Sequence, residues 1–276
     1  MPSHALNDTD KASQTIFIHS TDAVVSISDG EKIFYLDEAI TAPSGYRLII
    51  GLTNMTMPNS IFNVTSLNNK IVLNDVDYEI DVGNYSATDL AAAVTAKIED
   101  DPLVVGSCSF SDTDNKFSFT FGIAQVINEE TTLSRQLGLS GQLPTSSVSS
   151  YDAQNICDLG GATNIYIRIR NLTMNNLDSR GRRSNIIASI VNNANYGGYI
   201  FFVPPETLYY QITEQNISHL DIELTDQDGN ILELNGAQFN LTLTVHFVKQ
   251  REGIFRNSLL REIRQNYENR EEKNKK

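Results

Sequence analysis

The residues whose types could do chemistry are a short acidic run, four histidines, two cysteines and one arginine-rich loop. Asp226-Gln227-Asp228-Gly229-Asn230 offers the oxygen donors of a calcium loop. An EF-hand, however, requires glycine at the sixth loop position and glutamate at the twelfth, where this run has Ile231 and Ala237. Asp-Gly between LDIEL and ILEL predicts the turn of a hairpin instead. His4, His19, His219 and His246 have no metal-ligand spacing, and the last two fall outside the apolar register of their segments, so they read as surface or hydrogen-bonding groups. Cys108 and Cys157 are the only cysteines, which suggests a reducing compartment and neither a disulfide scaffold nor a thiolate metal site. No Gly-x-Ser-x-Gly elbow, P-loop or dinucleotide fingerprint is present. No catalytic set, metal ligand or cofactor site is expected, and the chain reads as non-enzymatic.

Charge marks two further candidates. The net charge is −13, yet residues 249–276 hold nine basic and five acidic residues, leaving 12 basic against 29 acidic in the rest. An acidic body repels phosphate, so no specific nucleic-acid partner is expected. Within that body the segment 178–184, DSRGRRS, is a basic loop. Arg180, Arg182 and Arg183 could pair with phosphate or with acids on a neighbouring subunit, beside the plain reading of a solvated loop. In the basic tail, from 253 to about 272, Phe255, Leu259, Leu260, Ile263 and Tyr267 fall on one helical stripe, with Arg256, Arg261 and Arg264 around it. That pattern predicts a packing helix or partner-binding arm, with Phe255, Leu259 and Ile263 as its contact residues.

The elements that must position these groups are mostly strands. TIFIHS (15–20), KIFYLDEAI (32–40) and YRLIIGLTN (46–54) have β character, with a Pro-Ser-Gly turn between the last two. NIYIRIRN and HLDIEL alternate apolar and polar residues, and 239–247 alternates without error: Phe239, Leu241, Leu243, Val245 and Phe247 against Asn240, Thr242, Thr244 and His246. Period two over such a length predicts a strand with one buried and one wet face. SNIIASI, GYIFFV and TLYYQI lie between them, divided by Gly-Gly and Pro-Pro.

Residues 55–158 read differently. KIVL and YEIDV suggest a hairpin, and Ala87–Glu99 a helix with Ser86 as N-cap and Asp89 three residues on. SCSFSD and KFSFTFG return to strand character, TTLSRQLGL suggests a second short helix, and the polar stretch 141–152 an exit linker. The expected architecture is mainly β: a jelly-roll β-sandwich from 14–54 and 159–248, a small α+β insertion at 55–158, a disordered arm at 1–13 and a basic C-terminal helix or tail from 249. Hydrophobic content of 40% and a mean hydropathy of −0.25 describe a globular chain, without the roughly 20-residue apolar run of a membrane helix. The polar N-terminus lacks a signal-peptide layout, so the chain reads as unexported.

Several segments together resemble the penton (vertex) proteins of virophages and Polinton-like (Maverick) viruses. They are NIYIRIRNLT, NLDSRGRRSNIIASI, NYGGYIFFVPPETLYYQI and ISHLDIELTDQDGNILELNGAQFNLTLTVHF, with APSGYRLIIGLTNMTMPNSIFNV and GNYSATDLAAAV upstream. The resemblance runs over about residues 30–248; the basic segment after Lys249 departs from the family pattern. It implies a single jelly roll carrying an insertion domain, assembled as a homopentamer at icosahedral five-fold vertices of a virion put together inside the host cell. Neighbouring major-capsid capsomers and, through the insertion, a host receptor are the partners it implies. A double-jelly-roll shell protein would need about 16 strands, more than this chain supplies. The alternative reading is a viral spike or carbohydrate-binding β-sandwich, with 11 tyrosines but no tryptophan.

Overall fold

A computed structural model describes residues 13–139, 141, 143–144, 146–177, 181 and 183–249. The chain first lays down β1 (Ser13–His19), β2 (Val25–Ser26), β3 (Glu31–Thr41) and β4 (Tyr46–Pro58). Next come β5 (Lys70–Leu73), β6 (Val76–Glu79), α1 (Ala87–Glu99), β7 (Gly106–Ser111), β8 (Lys116–Gln125) and β9 (Val148–Asp152). β10 (Asn164–Ile169) is followed by a two-residue ribbon of β11 (Asn176–Leu177) and β12 (Arg183–Ser184). β13 (Ile186–Val191), β14 (Tyr199–Phe202), β15 (Tyr209–Gln211), β16 (Asn216–Thr225) and β17 (Asn240–Lys249) complete it.

Two antiparallel sheets face each other. One runs β1-β17-β4-β14, with β15 also on β4; the other runs β13-β10-β16-β3-β2. Counting β1, β3, β4, β10, β13, β14, β16 and β17 as strands one to eight gives orders 1-8-3-6 and 5-4-7-2. That alternation between sheets makes two Greek keys, a jelly roll. Alternation fixes which side chains meet: Ile165, Ile167 and Ile169 from β10 and Leu220, Ile222 and Leu224 from β16 face Leu241, Leu243 and Val245 from β17, all buried. β17 is not wet along its other face. Thr242 is buried, and Thr244 and His246 are half-buried, because the strand is central. Thr244 Oγ1 lies 2.9 Å from Thr53 Oγ1, and the His246 ring meets Tyr209 edge-on at 4.6 Å.

A second core forms between β4 and β10. The chain leaves the first core after Ile61, supplies the second from Val64 to Ala153, and returns at Ala162. Here α1 presses Leu90, Ala91, Val94 and Ile98 onto the three-stranded sheet β7-β8-β9 and the hairpin β5-β6. Ser86 caps the helix as expected, its Oγ accepting from the Asp89 amide at 3.1 Å. Close packing requires Gly106, where an added Cβ would lie 2.8 Å from the Phe121 ring. Thr95 of α1 turns its hydroxyl to the free edge of β7, accepting from the Cys108 amide at 2.8 Å.

Four local expectations are corrected. TTLSRQLGL coils as a three-residue 3₁₀ helix, Thr132–Ser134, continued by turns at Leu133–Leu137 and Arg135–Gly138, and not as a second α-helix. Gly138 adopts φ +68° and the Leu139 amide bonds back to Ser134, which ends the coil there. Residues 148–152 are not linker but the edge strand β9, paired to β8. β4 runs four residues past Asn54, since β14 pairs with Met55–Pro58. ILEL does not continue a hairpin ladder: only a Thr225–Ile231 bridge and a Leu232-to-Leu224 amide bond join it to β16.

Candidate interaction surfaces

The acidic run at Asp226 folds into a self-satisfied turn. The Asp226 carboxylate accepts from the amides of Asp228 and Asn230, each at 2.8 Å, and from the Asn230 side chain at 2.9 Å, while Gly229 takes φ +90°. Its oxygens are occupied by the turn itself. The described histidines are separated: His19 bonds Asn240, His219 stacks on Tyr35, and His246 packs on Tyr209, while His4 lies outside the described residues. Burial pushes the Cys108 thiol up from 9.0 to about 12, so it stays protonated and packs as a small apolar group.

The basic loop is described only in part. Arg180 and Arg182 lie outside the described residues, and Arg183 is placed by its backbone alone, paired with Leu177 in the β11–β12 ribbon. Phe255, Leu259 and Ile263 also lie outside the described residues.

Folding assembles other surfaces that no single segment announces. On the outer face of the second sheet, Arg170 gathers three carboxylates: Glu31 at 2.9 Å, Glu223 at 3.0 Å and Asp221 at 3.7 Å. These acids come from β3 and β16, and all three are largely buried, so the guanidinium knits two strands and compensates charge that burial would otherwise penalise.

On the first sheet, β14 is a lateral edge. Ile200 points inward, and alternation turns Tyr199 and Phe201 out, where they are 76% and 71% exposed. Leu208, just before β15, is also exposed. An aromatic edge of this kind is what a subunit contact uses.

The junction between the cores is held by asparagines. Asn63, buried, donates to the carbonyls of Tyr85 and Leu159 and accepts from the Tyr85 amide at 2.9 Å, tying the outgoing chain to the returning one. Asn192 donates to the Ala162 carbonyl, and Asn59 to the Ala194 carbonyl. Two clefts flank this junction. One, of about 230 Å³, is lined by Arg135, Gln136, Asp158 and Asp228, with Arg135 2.7 Å from Asp158 and 3.7 Å from Asp228. The other, of about 360 Å³, is lined by Asn84, Asn193, Asn195, Tyr85 and Tyr196.

The module's outward sheet face is a field of hydroxyls. Ser107, Ser109, Thr120 and Ser150 are exposed across β7, β8 and β9, with Ser107 opposite Thr120 and Thr120 opposite Ser150. The one described α-helix is too short to cross a membrane.

No family model matches the chain, and no curated protein does. Among solved structures it is similar to the crystal structure of a mavirus penton protein, at 12% identity and a TM-score of 0.48, over 87% of this chain and 100% of that one. At that level of likeness the jelly-roll assignment rests on the strand order and the facing cores.

Proposed function

We propose that the protein is a structural capsid subunit of a virophage or Polinton-like virus, a homopentamer at the five-fold vertices, and not an enzyme. The observation that carries this reading is the jelly-roll strand order with a separately cored module in the connection between its third and fourth strands. It is the architecture implied by the resemblance of NIYIRIRNLT, NYGGYIFFVPPETLYYQI and ISHLDIELTDQDGN to the penton family. In this reading the sandwich packs among major-capsid capsomers, the module of residues 64–159 is an insertion domain that points outward, and the protein resides in the virion after assembly in the host cell.

A ring needs a heterologous contact, one patch meeting a different patch on the next copy. The aromatic edge of β14 supplies one such patch. The basic loop at Arg180, Arg182 and Arg183 adds charge-assisted contacts to acidic surface on a neighbour.

Light scattering behind a sizing column tests the reading, alone and with the major capsid protein added. The expected mass is five times 30.7 kDa, and Tyr199→Ser with Phe201→Ser should reduce it to that of one chain without unfolding the sandwich. A wild-type chain that stays monomeric at high concentration and in the presence of capsomers would sink the proposal. A second reading, a glycan- or receptor-binding module, is favoured by the exposed hydroxyl face and the asparagine- and tyrosine-lined cleft. Glycan-array binding lost on Tyr85→Ala or Tyr196→Ala would support it.

A further inference from the structure

Among the described residues β1 is an edge strand, paired on one side to β17 and open on the other. Beside it, where the two sheets part, lies an open groove of about 550 Å³ between β1 and β3. Its lining is mixed: Ile16, Leu36 and Ile40, with the exposed Phe17 and Tyr35, stand beside Gln14 and Thr15, while Asp37 and Glu38 make it acidic. Phe17 is 74% exposed and Tyr35 59%, an unusual pair to leave open beside two carboxylates and an unpaired strand edge.

We propose that residues 250–276 dock back onto this groove of their own chain, covering the β1 edge. Where the chain leads supports this first. His246 pairs with Ser13, so Lys249 lies three residues, about 10 Å, past the start of β1, on the side of the groove's Gln14 end. Length supports it second. The stretch 255–267, with its helical apolar spacing, would span about 20 Å, enough to cover the four β1 residues that line the groove.

Chemistry supports it third. Phe255, Leu259 and Ile263 match the groove's apolar residues, and Arg256, Arg261 and Arg264 match its Asp37 and Glu38, within a segment of eight basic and five acidic residues. Docking in this way covers the strand edge that would otherwise pair with another chain.

Hydrogen exchange on the full chain tests it. Peptides over 13–19 and 34–41 should exchange about tenfold faster in Leu259→Asp/Ile263→Asp and in Asp37→Lys/Glu38→Lys, with residues 218–225 unchanged as a fold control. Adding Arg256→Glu, Arg261→Glu and Arg264→Glu to the Lys pair should restore protection. Unchanged exchange at 13–19 in both single-site sets overturns the proposal. A photo-cross-linker at position 259, in a mixture of unlabelled and isotope-labelled chains, should give links of one mass type only. Links between light and heavy copies overturn docking in cis.

Discussion

The two cores solve the same problem with different materials. Between the jelly-roll sheets nearly all the buried side chains are aliphatic, with Leu48, Ile50, Met55, Met57 and the isoleucines of β10 interleaving from both faces, and Phe34 and Phe239 the aromatic exceptions. In the module α1 lies on a short sheet, and Phe117, Phe119, Phe121 and Tyr78 pack among aliphatic residues such as Ile71, Leu73, Leu90 and Ile98. Paired sheets stand about 10 Å apart and are filled by branched chains from each side. One helix on three strands offers less area, so fewer and larger side chains must carry it. The module's core is therefore richer in aromatic residues than that of the sandwich.

That contrast can be broken most directly at Phe119. Phe119→Ala should cost about 3–5 kcal/mol, and the loss should open the module's amides in hydrogen exchange while those of β10, β16 and β17 stay protected. Equal loss in both regions would mean that the cores fold as one unit.

Alkali should discriminate next. The Cys108 thiol is raised from 9.0 to about 12, chiefly by burial, and the Tyr78 hydroxyl from 10.0 to about 12, by burial and then by its hydrogen bond to Asp101. A folded-state pKa above the unfolded one contributes stability that is full below the unfolded pKa and lost as pH rises through the folded pKa. Between pH 9 and about 12 the module should therefore loosen first, followed by the near-ultraviolet signal of its aromatic residues and by thiol labelling of Cys108.

The junction is the next point of attack. Asn63→Ala removes a donor to two carbonyls and the acceptor of the Tyr85 amide, and should cost about 1–3 kcal/mol with increased proteolysis near residues 62 and 160. The smallest effect is expected at the helix cap. Ser86→Ala should cost about 1 kcal/mol, read as a lower urea midpoint for the module alone.

Local elements were legible in the sequence because their cause is local. Ile165, Ile167 and Ile169 alternate because successive strand residues face opposite ways, and Ser86 with Leu90, Val94 and Ile98 marks a capped amphipathic helix for equally short-range reasons. Two of the corrected segments show the limit. Gly138 stops a helix through a backbone conformation that hydrophobic spacing does not register, and β9 is held as a strand by β8 rather than by its own Val-Ser-Ser-Tyr-Asp pattern.

Along the chain only charge clusters point to surfaces, DSRGRRS and the basic tail, and these lie largely outside the described residues. The Arg170 cluster joins residues 31, 170, 221 and 223, and the asparagine junction joins 59, 63, 85, 159, 162 and 192. By itself the sequence determined a mainly β chain, one capped helix, an acidic body with a basic end, and the turn at Asp226. Only the tertiary structure decided which strands are neighbours, and hence which edges stay open and which charges meet. The physical reason is range: side-chain alternation, capping and turn geometry act over a few residues, whereas a jelly roll pairs strands more than two hundred residues apart, as β1 with β17.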